Sequence, residues 1–308
     1  MFGLIFLSET VPSGAVSTIL SIRFRSIANG RKGSSRSFSI YLWIVGAMVK
    51  LKDVIKEGFQ LGDQSRSEND LALVSLRVAL KSFFMTYAKF RGRIRSITDS
   101  TSDKQDIVDA HSLSYAEAYA ECIVHFQHFA ELACKSFLRA DHPLLSDVAS
   151  AKVGVLHSLL HKKKLTADEE IQVKSIEFSE AMSRLKLLVE TGKLKGYKEL
   201  EFISDHYNTL VELNNLRNRI WHRGIFILEY KALDIFIGRF VLPFVRDVIN
   251  HPLYSGREII WKYSNLSCGL DPLEEIIRHF SSEKYKLEKV AYLKRLEGRH
   301  MMKSYLKT

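Results

Sequence analysis

Cysteine, proline and acid at one end are what this sequence has little of. Its 308 residues include only three cysteines, Cys122, Cys134 and Cys268, with no close pair among them. An odd, scattered set excludes a disulfide framework or a cysteine-held zinc site and suits a reducing compartment. Five prolines, with long stretches free of glycine, leave most of the chain open to helix. No unbroken apolar run reaches the ~18 residues that a membrane span needs, so no membrane partner is expected. No glycine-rich phosphate loop, internal repeat or low-complexity tract is visible, and no cofactor is expected. Acid is nearly missing from residues 1–47, which hold Glu9 against Arg23, Arg25, Arg31, Lys32 and Arg36.

What is present is globular. Hydrophobic residues make up 46% and charged residues 26%, values that allow a buried core. The net charge is +10. A basic balance suits a polyanion such as RNA, though it also serves solubility.

From Met48 onward the periodicity is helical. Val49, Leu51, Val54, Ile55 and Phe59 begin a hairpin whose second helix runs over 71–90, opened by a capping box at Ser67–Asp70. The polar run 98–105 reads as a linker. A long helix follows over 115–140, with a capping box at Ser114 and Glu117, and ends where Pro143 forces His142 out of helical geometry. A shorter helix over 150–162 leads to the basic loop Lys162-Lys163-Lys164. Thr166 and Glu169 form a third capping box, which opens a helix expected to run to Gly192. A further helix over 225–249 is apolar on nearly every side, which places it centrally in a bundle or in an oligomer interface; Pro243 should kink or break it. The remainder, 251–308, shows a possible strand at 258–263 and a lysine-rich amphipathic helix from Leu273.

The densest chemistry lies between the last two core helices. Asn214-Asn215-Leu216-Arg217-Asn218-Arg219-Ile220-Trp221-His222-Arg223-Gly224 carries cations, amides, an indole and an imidazole within a helical repeat of Leu210, Leu213, Leu216 and Ile220. Asn218 and His222 are four apart and share a face, with Arg217 on its flank. Gly224 is expected to end the helix. That puts His222 in the last turn, where the dipole favours its protonated form.

Arg217-Asn218-x-x-x-His222 at a helix end, followed by glycine and a long apolar helix, resembles the HEPN superfamily, many of whose members are metal-independent ribonucleases of toxin–antitoxin and phage-defence systems. An earlier helix with Glu-apolar-x-x-Lys belongs to the same pattern, and Glu131-Leu132-Ala133-Cys134-Lys135 fits it. The resemblance covers residues 110–250. It implies a HEPN-type helical bundle over 106–250; with the helical hairpin over 48–105 and the extension over 251–308 that ends in a basic helix, both read from periodicity, the whole is expected to be all-α. It also implies an endoribonuclease working as a homodimer, because this chain holds one motif and the family joins two across a cleft. His222 would transfer protons, Arg217 would hold the phosphate, and Asn218 would orient His222 or bind substrate. Glu131, Lys135, Arg219 and Arg223 are candidates for substrate contact. An antitoxin or regulatory protein and a cytoplasmic location belong to the same picture. A non-catalytic, partner-binding HEPN-like module is the alternative.

Blander readings stand beside these. The motif can be a polar helix end with Trp221 packed and its arginines solvated. Glu131 and Lys135 can be an exposed i,i+4 ion pair worth roughly 0.3–0.5 kcal/mol. His125, His128 and Glu131 recur every three residues, but in the order His-x-x-Glu with no second helix repeating it, so no metal site is expected. Lys162–Lys164 and the cluster Lys284, Lys286, Lys289, Lys294 and Arg295 read as solvated surface that adds salt-dependent affinity for RNA. Residues 1–47 fit a transit peptide or a start assigned ahead of Met48; the family's prokaryotic distribution favours the second.

Overall fold

The longest described helix is also the most buried. The computed structural model describes residues 67–90, 113–149, 152–222, 226–262, 271–282 and 286–305. The expected helix over 49–61, the linker 98–105, and the whole of 1–47 lie outside them. Helix α1 spans Ser67–Phe90 and helix α2 spans Leu113–Asp141. Tyr115, Tyr119, Phe126, Phe129, Ala130, Ala133 and Phe137 are all closed to solvent along α2. Its alanines and cysteines let neighbouring helices approach from several sides, as close packing demands. The hub is therefore α2, rather than the segment 225–249.

The fold is all-α, with one short two-stranded ribbon. After α2 come a 3-10 turn at Pro143–Leu145, strand β1 (Asp147–Ala149), and helix α3 (Val153–Leu160). Helix α2 stops at Asp141 as expected, with His142 extended before Pro143. The expected single helix from Thr166 to Gly192 is instead three elements: α4 (Ala167–Glu170), β2 (Val173–Ser175) and α5 (Phe178–Glu190). The capping box itself forms, with Thr166 N–H donating to Glu169 at 2.9 Å and Glu169 N–H donating to Thr166 at 3.3 Å. The helix then fails because Val173 and Lys174 find a ladder on β1 (Ala149 opposite Val173, Val148 opposite Lys174). β-Branched residues gain more there than in a helix. Gly192, at φ 64°, closes α5 with Lys193 N–H bonded back to the Leu188 carbonyl, a left-handed cap that glycine adopts without strain.

Helix α6 (Phe202–His222) lies antiparallel to α2: Phe202 meets Phe137 with ring centroids 6.3 Å apart. Residues 226–229 have no regular structure, so the expected helix over 225–249 starts late, at α7 (Tyr230–Ile235). A π-helical segment, Phe236–Val241, then joins α7 to α8 (Leu242–Asn250). Pro243 explains it. Proline lacks an N–H and its ring collides with the carbonyl four residues back; widening the preceding turn, with Leu242 N–H bonding Ile237, relieves the collision without breaking the helix. Residues 258–263 do not form the expected strand, since Glu258–Trp261 is a short helix, α9. The C-terminal helix read from Leu273 is two: α10 (Pro272–Ser281), capped by Asp271, and α11 (Leu287–Tyr305).

One buried cluster joins α1, α2, α5, α6, α7, α8, α10 and α11. The segment Asn69–Lys89 has a mean hydropathy of 1.4 and is long and apolar enough to cross a membrane, although Arg77 and Lys81 interrupt its apolar run. In the structure 56% of this window is buried, with Leu73, Leu76 and Phe83 fully inside the cluster.

Candidate functional site

The end of α6 decides what the motif can do. Leu210, Leu213 and Leu216 anchor the helix in the core. Their periodicity turns Arg217, Asn218 and Trp221 onto one flank, with His222 in the last turn above Asn218. Arg217 and Asn218 are half-buried, and His222 is exposed. The Arg217 guanidinium donates to Asn218 Oδ1 at 3.0 Å, which stiffens two long polar side chains into one unit. Trp221 is not packed: 61% of it faces solvent. The Arg219 guanidinium lies 3.5 Å from the centre of the Phe226 ring, a cation–π contact that ties the helix end to the segment before α7. Arg223 and Gly224 lie outside the described residues.

Glu131 and Lys135 do form their pair, at 2.5 Å, with Gln127 donating to the other Glu131 oxygen at 3.1 Å. The pair is not the exposed one of the bland reading, because Lys135 is only 8% accessible. Nor does it sit beside the motif. The antiparallel register of α2 and α6 puts Glu131 opposite the middle of α6, roughly 13 Å along the axis from the level of Arg217 at about 1.5 Å per residue. What the structure brings together is therefore Arg217, Asn218, Trp221 and His222, with Glu131 and Lys135 facing the earlier part of α6.

His125, His128 and Glu131 do not converge on a common point. His128 Nδ1 pairs with the Ser75 hydroxyl at 2.8 Å on α1, and both Glu131 oxygens are engaged within α2. Among the described residues no group of three or more His, Cys, Asp or Glu is placed to hold a metal ion. Burial pushes the Cys134 thiol up to about 12, so it has no nucleophilic character at neutral pH.

Comparison with protein families, with characterised proteins and with solved structures finds no match.

Two concavities among the described residues lie away from the motif. One is a small pocket of about 20 Å³ between Leu80, Phe84, Trp261 and Leu273, with Glu297 in its wall. The other is an open hollow of about 430 Å³ at the far end of α6, lined by Lys198, Glu199, Asp247, Asn250 and His251. There His206 bridges α6 to α8, its Nε2 lying 2.9 Å from Asp247. Sequence reasoning missed this pair because forty-one residues separate its members and neither sits in a motif. On the motif flank Trp221 and His222 are exposed.

One cation of the C-terminal cluster is misplaced by the surface reading. Lys286, Lys289 and Arg295 are exposed, but Lys294 is fully buried. It donates to Asp234 and to the Thr86 hydroxyl, the latter at 2.8 Å, and lies 3.9 Å above the Phe83 ring. It serves the core and is closed to RNA.

Proposed function

We propose that this chain is a metal-independent endoribonuclease of HEPN type, acting at a composite site between two copies. The observation that carries the reading is the exposed indole of Trp221 on the flank of Arg217 and Asn218, one residue from an exposed His222. An aromatic face left in solvent beside a cation and an imidazole is what an unpaired base and its phosphate require. Stacking on such a face contributes about 1–3 kcal/mol per base. The arginine fork matches two phosphate oxygens.

In this mechanism a base removes the proton of the ribose 2′-hydroxyl as its oxygen attacks phosphorus. The bond to the 5′-oxygen breaks, and an acid protonates that leaving oxygen. The products are a 2′,3′-cyclic phosphate and a 5′-hydroxyl. Imidazole suits both proton transfers near neutrality. Each copy brings one His222, so a two-fold arrangement supplies an acid and a base, while Arg217 stabilises the charge gathering on phosphorus. Toxin or phage-defence activity, held in check by a protein partner, is the biological setting that fits this chemistry.

The test is cleavage of a labelled mixed-sequence RNA in EDTA by the protein, with His222→Ala and Arg217→Ala beside it and each sized in solution. Cleavage by a wild-type dimer that both variants lose, with cyclic-phosphate ends, supports the reading. Cleavage that survives both substitutions removes this motif as the active site. A folded, inactive dimer would favour the non-catalytic, partner-binding module.

A further inference from the structure

Helix α3 is apolar on two faces, and only one of them is covered. Val155 and Leu159 point inward, 2% and 5% exposed, against the turn and strand that precede them. They stand outside the main buried cluster, so α3 belongs to a satellite lobe beyond the end of α2. Val153, Leu156 and Leu160 line the outer face at spacings of three and four, and they are 79%, 43% and 56% exposed. His157 and His161, with ring centroids 4.4 Å apart, edge this stripe.

The charge within the stripe's own segment has one sign. Between residues 148 and 165 there is no acid, whereas Lys152 precedes the helix and Lys162, Lys163 and Lys164 follow it. Of the flanking acids, Asp147 takes Arg139 at 2.7 Å and Glu169 caps its own helix through Thr166, while Asp168 and Glu170 are exposed on α4. The lysine loop is also built rather than slack. Lys162 adopts φ 51°, and its N–H bonds the Leu159 carbonyl while Lys163 N–H bonds that of Ser158. This is a left-handed helix cap that normally employs glycine. The Lys162 ammonium reaches back to the Asp141 carbonyl at 2.7 Å. The cap sets Lys163 and Lys164 immediately beyond the last exposed leucine of the stripe.

We propose that this lobe docks on an anionic lipid surface, its aliphatic stripe entering the headgroup boundary and Lys152, Lys163 and Lys164 meeting lipid phosphates. RNA is a poorer occupant, since valine and leucine offer bases neither stacking nor hydrogen bonds. The stripe contains only flexible or branched aliphatic side chains with cations at both ends of the helix, which matches an interface of acyl chains below charged headgroups. The inference stands independently of the nuclease reading.

The test is co-sedimentation of the full chain with phosphatidylcholine vesicles and with mixed phosphatidylcholine–phosphatidylserine vesicles, at low and high salt. The protein is expected to follow the mixed vesicles only, and to be released by salt as screening shortens. Val153→Ser/Leu160→Ser should weaken binding about tenfold or more. Lys163→Glu/Lys164→Glu should weaken it at least about twenty-fold, each lysine contributing about fivefold near such a surface. Lys286→Glu/Lys289→Glu, at the start of α11, should leave the loss no greater than general charge requires. All variants are checked for helix content by circular dichroism. The proposal is overturned if the chain ignores the mixed vesicles, or if the serine variant binds them as well as wild type. It is equally overturned if the serine substitutions instead abolish self-association, which would assign the stripe to a second copy, or weaken binding to labelled single-stranded RNA.

Discussion

Lys294 in the last described helix and Asp234 at the end of α7 form an ion pair with both side chains wholly removed from solvent. Sixty residues apart in sequence, they join α7 to α11, and the Thr86 hydroxyl on α1 receives a second bond from the same ammonium. Burial pushes the Lys294 ammonium down from its ordinary value, and Asp234 pulls it back. The residues on either side of the central bundle are thereby stapled to it through a charge that no sequence pattern marks.

Removing one partner should be far worse than removing both. Asp234→Ala or Lys294→Met alone leaves an uncompensated buried charge, or an ammonium forced to lose its proton, and should destabilise by about 3–5 kcal/mol. The double variant Asp234→Leu/Lys294→Met should recover most of that loss. Urea unfolding of the four proteins decides; singles within about 1 kcal/mol of wild type would show that the pair is open to water.

Gly238 has no room for a side chain. A methyl group there would lie 2.2 Å from two Phe280 ring carbons on α10. Gly238→Ala should therefore cost about 1–3 kcal/mol by overpacking. Phe280→Leu in the same protein should restore part of it, whereas on a normal background it destabilises. Additive losses in the double variant, measured by thermal unfolding, would count against this contact.

Glu297 should give stability a falling acid-to-neutral slope. Burial, its largest cause, raises the Glu297 carboxyl from 4.5 to about 7, with Asp271 adding to the rise and Lys262 opposing it. One carboxylate oxygen has no hydrogen-bond partner. A folded-state value above the unfolded one means that the folded protein holds the proton longer. Below about 4.5 both states are protonated and this residue penalises nothing. Stability then falls as pH rises towards about 7 and levels off above it, by up to about 3 kcal/mol. Glu297→Gln should match wild type at the acid end and exceed it above neutrality. A variant with the same pH slope as wild type would refute the assignment.

At the motif, His222→Ala and Arg217→Ala should each reduce RNA cleavage by about 10²–10⁴-fold. Neither should move the unfolding midpoint by more than about 0.5 kcal/mol, since exposed and half-exposed polar groups carry little stability. Trp221→Ala should weaken RNA binding by about 1–3 kcal/mol while also leaving the fold intact. An unfolding midpoint that drops with Trp221→Ala would mean that the indole packs in solution.

Local signals were legible in residues close together in the chain. The Thr166–Glu169 capping box, the stop at His142 before Pro143, the glycine cap at Gly192 and the leucine repeat of α6 all depend on neighbours within a turn or two. The same locality misled where a distant partner competed. Ile171 and Val173 have helical spacing with the residues that follow, yet β1, some twenty-five residues earlier, drew Val173 into a ladder. Pro243 announced a disturbance, but whether the helix would break or widen depended on the packing of Ile237 and Val241 in the core.

By itself the sequence determined the helical class, the core-facing side of α6, and the grouping of Arg217, Asn218 and His222 on one flank of it, because helical periodicity sets those directions within a single element; that Trp221 stands exposed beside them came from the structure. Tertiary structure alone decided that α2 is the hub, that Lys294 is buried against Asp234 while its neighbours stay in water, that Glu131 and Lys135 sit away from the motif, and that the α3 stripe is left uncovered. Each of these depends on which helices meet, and that is settled by how side chains from distant parts of the chain fill one common core.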